Sequence, residues 1–219
     1  MSKDNEMRIY PMSDSEVGKL ASGIAGSMKR DLPDFALRNI TEADLNNFEV
    51  MIDDFNDLPI DEELIGELSD ATEKKNQLIT NIKVLVRPIR NMAFLAYKGK
   101  GKYRSFGFKD MDSMNDFETF RLATRVARVG KKHLTDLTIH GLTEGQLAAI
   151  KTLSNLLFSQ IEACEDAVEN RELEAENRVQ KGNMLWNRMV ELASIGKSLF
   201  EDTNPAKYND YVLISRPAK

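Results

Sequence analysis

The chain has 219 residues, with 30 lysines and arginines, 35 acidic residues and one cysteine. A hydrophobic fraction of 42% with 30% charged residues suits long helices with wide solvated faces, and 12 glycines and 6 prolines are too few for the turns of an all-β fold. The single cysteine, Cys164, excludes an intrachain disulfide framework. No stretch is apolar enough to span a membrane and the N-terminus has no signal region, so we expect a soluble cytoplasmic protein.

Charge is distributed unevenly along the chain. Residues 31–75 contain 14 acidic and 3 basic residues, a net charge of −11, whereas residues 98–132 contain 10 basic and 4 acidic residues, a net charge of +6. Regions of opposite charge can neutralise each other within one molecule or between molecules. We therefore expect these charges to contribute to register or to assembly.

The first quarter of the chain predicts an extended arm and two helices. Pro11 favours extended geometry in the residue before it, so residues 1–12 are expected to form an extended N-terminal arm. Thr41 is placed to cap the second helix and Pro59 to end it. The apolar residues at helical spacing are Val17, Leu20, Ile24 and Met28 in the first helix, and Leu45, Phe48, Ile52 and Phe55 in the second.

The middle of the chain predicts two more helices separated by a glycine-rich segment. Apolar residues repeat at steps of three and four over residues 61–96, and Pro88 is expected to kink that helix. Residues 98–114 contain three glycines and no helical period, which indicates a basic loop or a β-hairpin. A helix over 115–132 follows, and then a locally extended connection over 133–142.

The segment 144–201 predicts one very long C-terminal helix. Its apolar residues repeat at steps of three and four, no proline interrupts it, and Thr143 is placed to cap it. The inward positions in its middle hold Arg171, Arg178 and Gly182. We expect the helix either to project from the bundle there, to break at Gly182-Asn183, or to place those arginines against carboxylates of another chain. With residues 202–219 as an extended tail, we predict a single all-α domain over 1–219, an elongated antiparallel helical bundle.

Antiparallel packing also predicts a register. Folding the helix 115–132 back on the long helix places Arg121 near Asn155, and the loop 98–109 then lies beside residues 167–178. The long helix presents an acidic stripe in that region, comprising Glu162, Glu165, Glu169, Glu172 and Glu176. We predict that this stripe neutralises the basic loop, with each exposed pair contributing at most about 1 kcal/mol.

Residues 104–109 read Arg-Ser-Phe-Gly-Phe-Lys, a basic residue followed by two aromatics around a glycine. This segment resembles the RNP1 core of RNA-recognition domains. The resemblance implies a β-sheet on which Phe106 and Phe108 stack nucleic-acid bases. It covers six residues, Lys109 stands where RNP1 has an apolar residue, and the flanking sequence predicts helices rather than strands.

A wider set of basic and aromatic side chains predicts nucleic-acid binding without that fold, because cations interleaved with aromatics suit phosphates and unstacked bases. The surface would comprise the loop 97–109 and the helix 115–132. The candidate residues are Lys98, Lys100, Lys102, Tyr103, Arg104, Phe106, Phe108, Lys109, Arg121, Arg125, Arg128 and Lys132.

The two histidines supply the one metal candidate. His133, Asp136 and His140 would share a face if that segment were helical, and two histidines with one carboxylate can hold iron. Thr135, Thr138 and Gly141 favour a non-helical chain there, which would scatter the ligands. The sequence contains no nucleophile-elbow or phosphate-loop motif, so we predict no catalytic residue and no cofactor.

The expected function is therefore non-enzymatic. The first hypothesis is a structural or interaction protein that self-assembles into a homo-oligomer or scaffolds a protein partner, because two uninterrupted apolar seams occur without a catalytic constellation. The alternative is a nucleic-acid-binding helical protein that uses residues 97–109 and 115–132. The second alternative is a metal-binding protein.

Overall fold

A computed structural model describes residues 7–213. These residues form helices and no strand, which confirms the all-α helical bundle. The helices are α1 (Asp14–Arg30), α2 (Leu32–Phe35), α3 (Glu42–Asn56), α4 (Asp61–Tyr97), α5 (Gly101–Arg104), α6 (Asp116–Lys132), α7 (Leu134–Thr138), α8 (Glu144–Phe200) and α9 (Pro205–Asp210). Short 3₁₀ turns follow α2 at Ala36–Arg38 and precede α6 at Met111–Ser113.

The long C-terminal helix is confirmed, since α8 runs for 57 residues without a break. Gly182 does not interrupt it because the ring of Tyr10 packs directly on the glycine, in the space that a Cβ would occupy. The two inward arginines also have partners within the chain. Arg171 donates two hydrogen bonds to the Asp61 carboxylate, at 2.8 and 3.0 Å, and Arg178 donates to the Pro59 carbonyl. These arginines therefore give no support to a contact with another chain.

The described residues separate into two compact units. Unit 1 comprises residues 7–61 and 171–213, and unit 2 comprises residues 62–170. Each unit has its own apolar core, one centred on α1, α3 and the C-terminal part of α8, the other on α4, α6 and the N-terminal part of α8. The assignment of residues 1–219 to one domain stays a prediction.

The chain contains an internal repeat that the sequence analysis missed. Asp14, Leu32 and Glu42, at the starts of α1, α2 and α3, correspond to Asp116, Leu134 and Glu144, at the starts of α6, α7 and α8, each pair 102 residues apart. Both 17-residue helices α1 and α6 begin with a reciprocal capping box. Eleven positions are buried in both copies: Val17, Ala21, Ile24, Ala25, Met28, Phe35, Ile40, Leu45, Phe48, Ile52 and Phe55, and then Thr119, Ala123, Val126, Ala127, Gly130, Leu137, Leu142, Leu147, Ile150, Ser154 and Leu157.

The correspondence continues through the second part of each repeat. The buried residues Ile82, Val86, Ile89 and Ala93 of α4 match Leu185, Met189, Leu192 and Gly196 of α8, which lie 103 positions later. Lys102 and Tyr103 of α5 match Lys207 and Tyr208 of α9, 105 positions later. We call residues 13–108 repeat A and residues 115–213 repeat B. Pro59 separates α3 from α4 in repeat A, whereas repeat B has no proline there and forms the single helix α8.

Each unit combines the first part of one repeat with the second part of the other. Unit 1 contains α1–α3 of repeat A and the end of repeat B, and unit 2 contains α4 and α5 of repeat A and the start of repeat B. Each unit contains an equivalent ion pair between its two parts. Lys207 pairs with Asp34 at 3.2 Å in unit 1, and Lys102 pairs with Asp136 at 2.9 Å in unit 2. The two units are therefore versions of one small helical bundle.

Two local predictions were wrong because short helices form where extended chain was expected, whereas the segment 98–114 is the predicted loop rather than a hairpin. Residues 98–114 contain the one-turn helix α5 and a 3₁₀ turn. Residues 134–138 form α7, and residues 205–210 form α9, whose first turn is set by Pro205 and capped by Asn204. Residues 7–12 form no helix, and the rest of the predicted arm, like residues 214–219 of the tail, lies outside the described residues.

The predicted register holds for one pair of helices. Thr124 of α6 meets Ser154 of α8, with their hydroxyl oxygens 2.7 Å apart, so α6 and α8 pack antiparallel close to the predicted alignment. The orientation of α4 relative to α6 follows from two contacts, because Lys75 pairs with Asp116 and Tyr97 contacts His133. These two helices run parallel, and residues 98–115 return along the bundle between them.

Candidate polyanion interface

The aromatic residues of the basic loop belong to the core of unit 2. Phe106 is fully buried, Phe108 is 6% exposed, and their rings stack at 5.2 Å with an angle of 8°. Tyr103 packs between Phe94 and Phe108. Neither phenylalanine can stack a base, and none of the residues 97–115 lies on a strand. The structure implied by the RNP1 resemblance is therefore wrong for this segment.

Two cations of the candidate surface hold the loop in place. The Arg125 guanidinium lies over Gly107, whose φ of +74° favours glycine at this position. Lys102 pairs with Asp136 at 2.9 Å, and Tyr97 donates a hydrogen bond to the same carboxylate at 3.1 Å. Lys102 and then Tyr97 lower the pKa of Asp136, while burial and the bond to Asp136 raise the pKa of Tyr97 to about 12. Lys102 thus has a structural partner, and Arg125 lies against the loop at Gly107.

The metal candidate is not assembled. His133 Nδ1 lies 4.0 Å from Asp136, whose carboxylate is already occupied by Lys102. The His133 ring packs edge-on against Tyr97, and His140 is exposed beyond the end of α7. Between residues 7 and 213 no three side chains of the metal-binding types come together in a way that could hold an ion. The structure therefore gives no support to the metal-binding alternative.

Within unit 2 the loop lysines do not pair with the acidic stripe. Among the described residues of unit 2, the loop lysines pair with Asp136 and, at 4.0 Å, with Asp110, and not with Glu162, Glu165 or Glu169. The loop lies at the α7 end of unit 2, because residues 98–115 turn back instead of continuing the register of α6. The other two members of the stripe, Glu172 and Glu176, belong to unit 1.

Unit 2 has a basic end and an acidic end. Residues 74–151 contain 16 basic and 6 acidic residues, a net charge of +10. Residues 62–73 contain five acidic and no basic residues, and residues 152–170 contain four acidic and no basic residues. These two acidic runs lie together, since Gln160 donates a hydrogen bond to the Ala71 carbonyl. Charge is therefore segregated along unit 2 rather than paired.

Most exposed cations at the basic end have no ionic partner among residues 7–213. Lys74 also meets both conditions, but it lies next to the acidic runs around Ala71 and Gln160. At the basic end itself the cations meeting both conditions are Lys98, Lys100, Arg104, Arg121, Arg128, Lys131, Lys132 and Lys151. Six of them were sequence candidates, while Lys131 and Lys151 were missed. Lys151 lies on α8, far from the predicted loop in sequence, and only the packing of α6 against α8 brings it to the same surface.

An open groove of about 510 Å³ lies between α6 and α8 within this surface. Its polar lining includes the three cations Arg128, Lys131 and Lys151 and one carboxylate, Glu144. The apolar side chains of Leu147 and Ala127 form its floor, and both are nearly buried. A groove of this shape and charge suits an anionic group.

Unit 1 contains a different charged centre, around the fully buried Asp31. Its carboxylate accepts hydrogen bonds from Arg30 at 2.6 Å and from the Tyr211 hydroxyl at 3.0 Å, and Lys207 lies 2.8 Å away. Burial raises the pKa of Asp31, but these three donors outweigh burial and lower it to about 2. Every group is paired, so this centre stabilises the fold and offers no free acid or base.

Comparison of the chain with protein families, with curated proteins and with solved structures finds no match in any of the three. Over residues 7–213 no helix combines the length and the apolar character that crossing a bilayer requires.

Proposed function

We propose that this chain is a non-enzymatic interaction protein whose unit 2 binds the phosphate backbone of a nucleic acid. The observation that carries the proposal is the group of exposed, unpaired cations at the basic end of unit 2, where 16 basic residues face only 6 acidic ones. Such a surface attracts a polyanion and releases the counterions condensed on it.

The recognition should be independent of base sequence. Phe106 and Phe108 are buried, so the side chains left at the surface are mainly lysines and arginines. Lysine and arginine contacts to phosphate oxygens position a protein on nucleic acid without reading the bases. The binding energy would then be electrostatic, and the overall charge of −5 would confine it to the basic end of unit 2.

The chain should bind a fluorescein-labelled DNA duplex of about 20 base pairs, measured by fluorescence anisotropy, with a steep salt dependence. If the chain contacts about five phosphates, raising the salt from 50 to 200 mM should weaken binding about 500-fold. Replacing Lys98, Lys100 and Arg104 with glutamine should weaken binding about 10-fold at 100 mM salt and reduce the salt slope by about 3, because each lost cation releases one counterion fewer.

The matched control changes three cations of unit 1, Lys19, Lys29 and Lys181, to glutamine. It removes the same total charge from a different surface, so it should retain almost all of the affinity. Equal losses in both triple variants, or no binding by the unmodified chain at 50 mM salt, would contradict the proposal.

Self-association is the second candidate, favoured by an exposed aromatic cluster on unit 2. Phe117 is 50% exposed and Phe158 is 38% exposed, and both rings pack against Phe120 with centroids 5.5 and 5.1 Å apart. Clustered exposed aromatics are typical of protein interfaces.

Light scattering tests this candidate. The chain should show a mass above 24.8 kDa at high concentration, and replacing Phe117 and Phe158 with serine should return it to that monomer mass. Ile139→Ser is the control, because this side chain is 85% exposed without belonging to the cluster. A monomer at every concentration would exclude self-association.

A further inference from the structure

The internal repeat allows the charged groove of unit 2 to be compared with the same place in unit 1. In unit 1, Lys29 of α1 and Glu49 of α3 form an exposed ion pair at 3.8 Å. The positions 102 residues later are Lys131 of α6 and Lys151 of α8, which line the groove together. An attractive pair in one unit is thus replaced by two like charges in the other.

A second position changes in the same direction. Gly26 of α1 corresponds to Arg128 of α6, whereas Glu42 corresponds to Glu144 and keeps its charge. The four positions carry a net charge of −1 in unit 1 and +2 in unit 2. The buried positions of the same helices remain apolar or small in both repeats, so these charge changes lie at exposed positions.

The groove of unit 2 carries an excess of positive charge. Two lysines and an arginine share one groove with a single carboxylate, and Leu147 and Ala127 lower the polarity of its floor. Repulsion between like charges is screened poorly next to apolar groups. A phosphate group would accept hydrogen bonds from the arginine in a bidentate manner and would offset the charge of both lysines.

We infer that the α6–α8 groove is a phosphate-binding site in which Arg128, Lys131 and Lys151 hold the anion. The inference rests on the proposed function, since a nucleic-acid backbone would supply the phosphate. A free phosphorylated molecule presents the same chemistry, and the experiment separates the two sources. Because the Glu144 carboxylate repels phosphate oxygens, the oxygens not bound by the cations would point away from it, toward solvent.

Backbone NMR of the ¹⁵N-labelled full chain, titrated with inorganic phosphate against chloride at equal ionic strength, tests the site directly. We expect the amide signals of Arg128, Lys131 and Lys151 to shift on addition of phosphate. Lys151→Glu recreates the unit 1 ion pair with Lys131, so it should weaken phosphate binding at least 10-fold without lowering the unfolding temperature. The control is Lys74→Glu, a charge reversal at an exposed, unpaired lysine of α4, which should leave the shifts unchanged.

The same variants, titrated with the labelled DNA, identify the source of the phosphate. A loss of DNA affinity in Lys151→Glu but not in Lys74→Glu supports the inference with nucleic acid as the source. Phosphate shifts that Lys151→Glu abolishes while DNA affinity is unchanged support the site with a free phosphorylated ligand. Shifts scattered over all lysines, or unaltered by Lys151→Glu, would overturn the inference even if the chain binds DNA. Failure of the unmodified chain to bind DNA would count against the proposed function alone.

Discussion

Replacing Asp31 with alanine should destabilise unit 1 by about 3 kcal/mol at neutral pH. The carboxylate is fully buried and satisfies the Tyr211 hydroxyl, Arg30 and Lys207 at once. Removing one member of a buried charge network leaves the others unpaired, which costs about 3 kcal/mol or more. Lowering the pKa of Asp31 from 3.8 to about 2 corresponds to about 2.5 kcal/mol of stability, an independent value of the same size.

The effect should depend on pH in a defined direction. The pKa of Asp31 is lower in the folded state than in the unfolded state, so its contribution is complete above the unfolded value of 3.8 and is lost as pH falls toward 2. Roughly half of it should remain near pH 3. The difference in stability between the unmodified chain and Asp31→Ala should therefore be constant from pH 7 to 5 and shrink below pH 4.

Urea unfolding followed by tryptophan fluorescence measures this difference. Trp186 is the only tryptophan of the chain and packs against the core of unit 1, so its emission reports on that unit. Asp34→Ala is the control, because Asp34 is 43% exposed and shares Lys207 with Asp31. Its cost should stay below about 1 kcal/mol. Equal costs for both variants would show that the burial of Asp31 does not govern its contribution.

The helices of this fold were largely predictable from the sequence, because their apolar spacing and caps are local signals. Asn115 caps α6, Thr143 and Gln146 cap α8, and α8 continues through Gly182 since Tyr10 fills the space beside the glycine. The short helices α7 and α9 were missed for the opposite reason. They are too short for a period to appear, and their stability comes from buried side chains such as Leu137 and Tyr211 at or next to them.

The topology and the site depended on long-range contacts that no local pattern contains. Repeats A and B share only 11 identical residues over the 44 positions 13–56 and 115–158. What they mainly share is the pattern of buried positions, which the sequence alone does not display. The return of residues 98–115 along α4 places Asp112 2.9 Å from Arg87 and buries Phe106, Phe108 and Met111 in the core of unit 2. Lys151 joined the candidate surface only after α6 had been placed against α8.

The duplication also explains why the two units can differ in function while keeping one fold. Buried positions constrain each other through packing, whereas exposed positions such as 26 and 128 or 49 and 151 are free to diverge in charge. Unit 1 uses position 49 for an ion pair with Lys29, and unit 2 has cations at both 128 and 151. The Lys29–Glu49 ion pair of unit 1 therefore corresponds to a cluster of unpaired cations in unit 2.

Replacing Gly196 with alanine should destabilise unit 1 by about 2 kcal/mol, although glycine to alanine usually stabilises a helix. Alanine gains about 1 kcal/mol over glycine at an exposed helical site. At Gly196, however, the new methyl group would overlap the ring of Tyr211, which packs between Phe35 and Phe200. Overpacking a core costs about 1–3 kcal/mol, and displacement of the ring would also weaken its hydrogen bond to Asp31.

Gly26→Ala supplies the matched control within the same unit. Gly26 is exposed in the interior of α1, and a Cβ there meets no atom within 4 Å, so this variant should gain about 1 kcal/mol from helix propensity alone. The two substitutions are chemically identical, and Trp186 fluorescence in urea reads both. We therefore expect their unfolding free energies to differ by about 3 kcal/mol, with opposite signs relative to the unmodified chain. If both substitutions stabilise the chain, the prediction is wrong. The Tyr211 ring would then move away from α8 at little cost in free energy when a methyl group is added at Gly196.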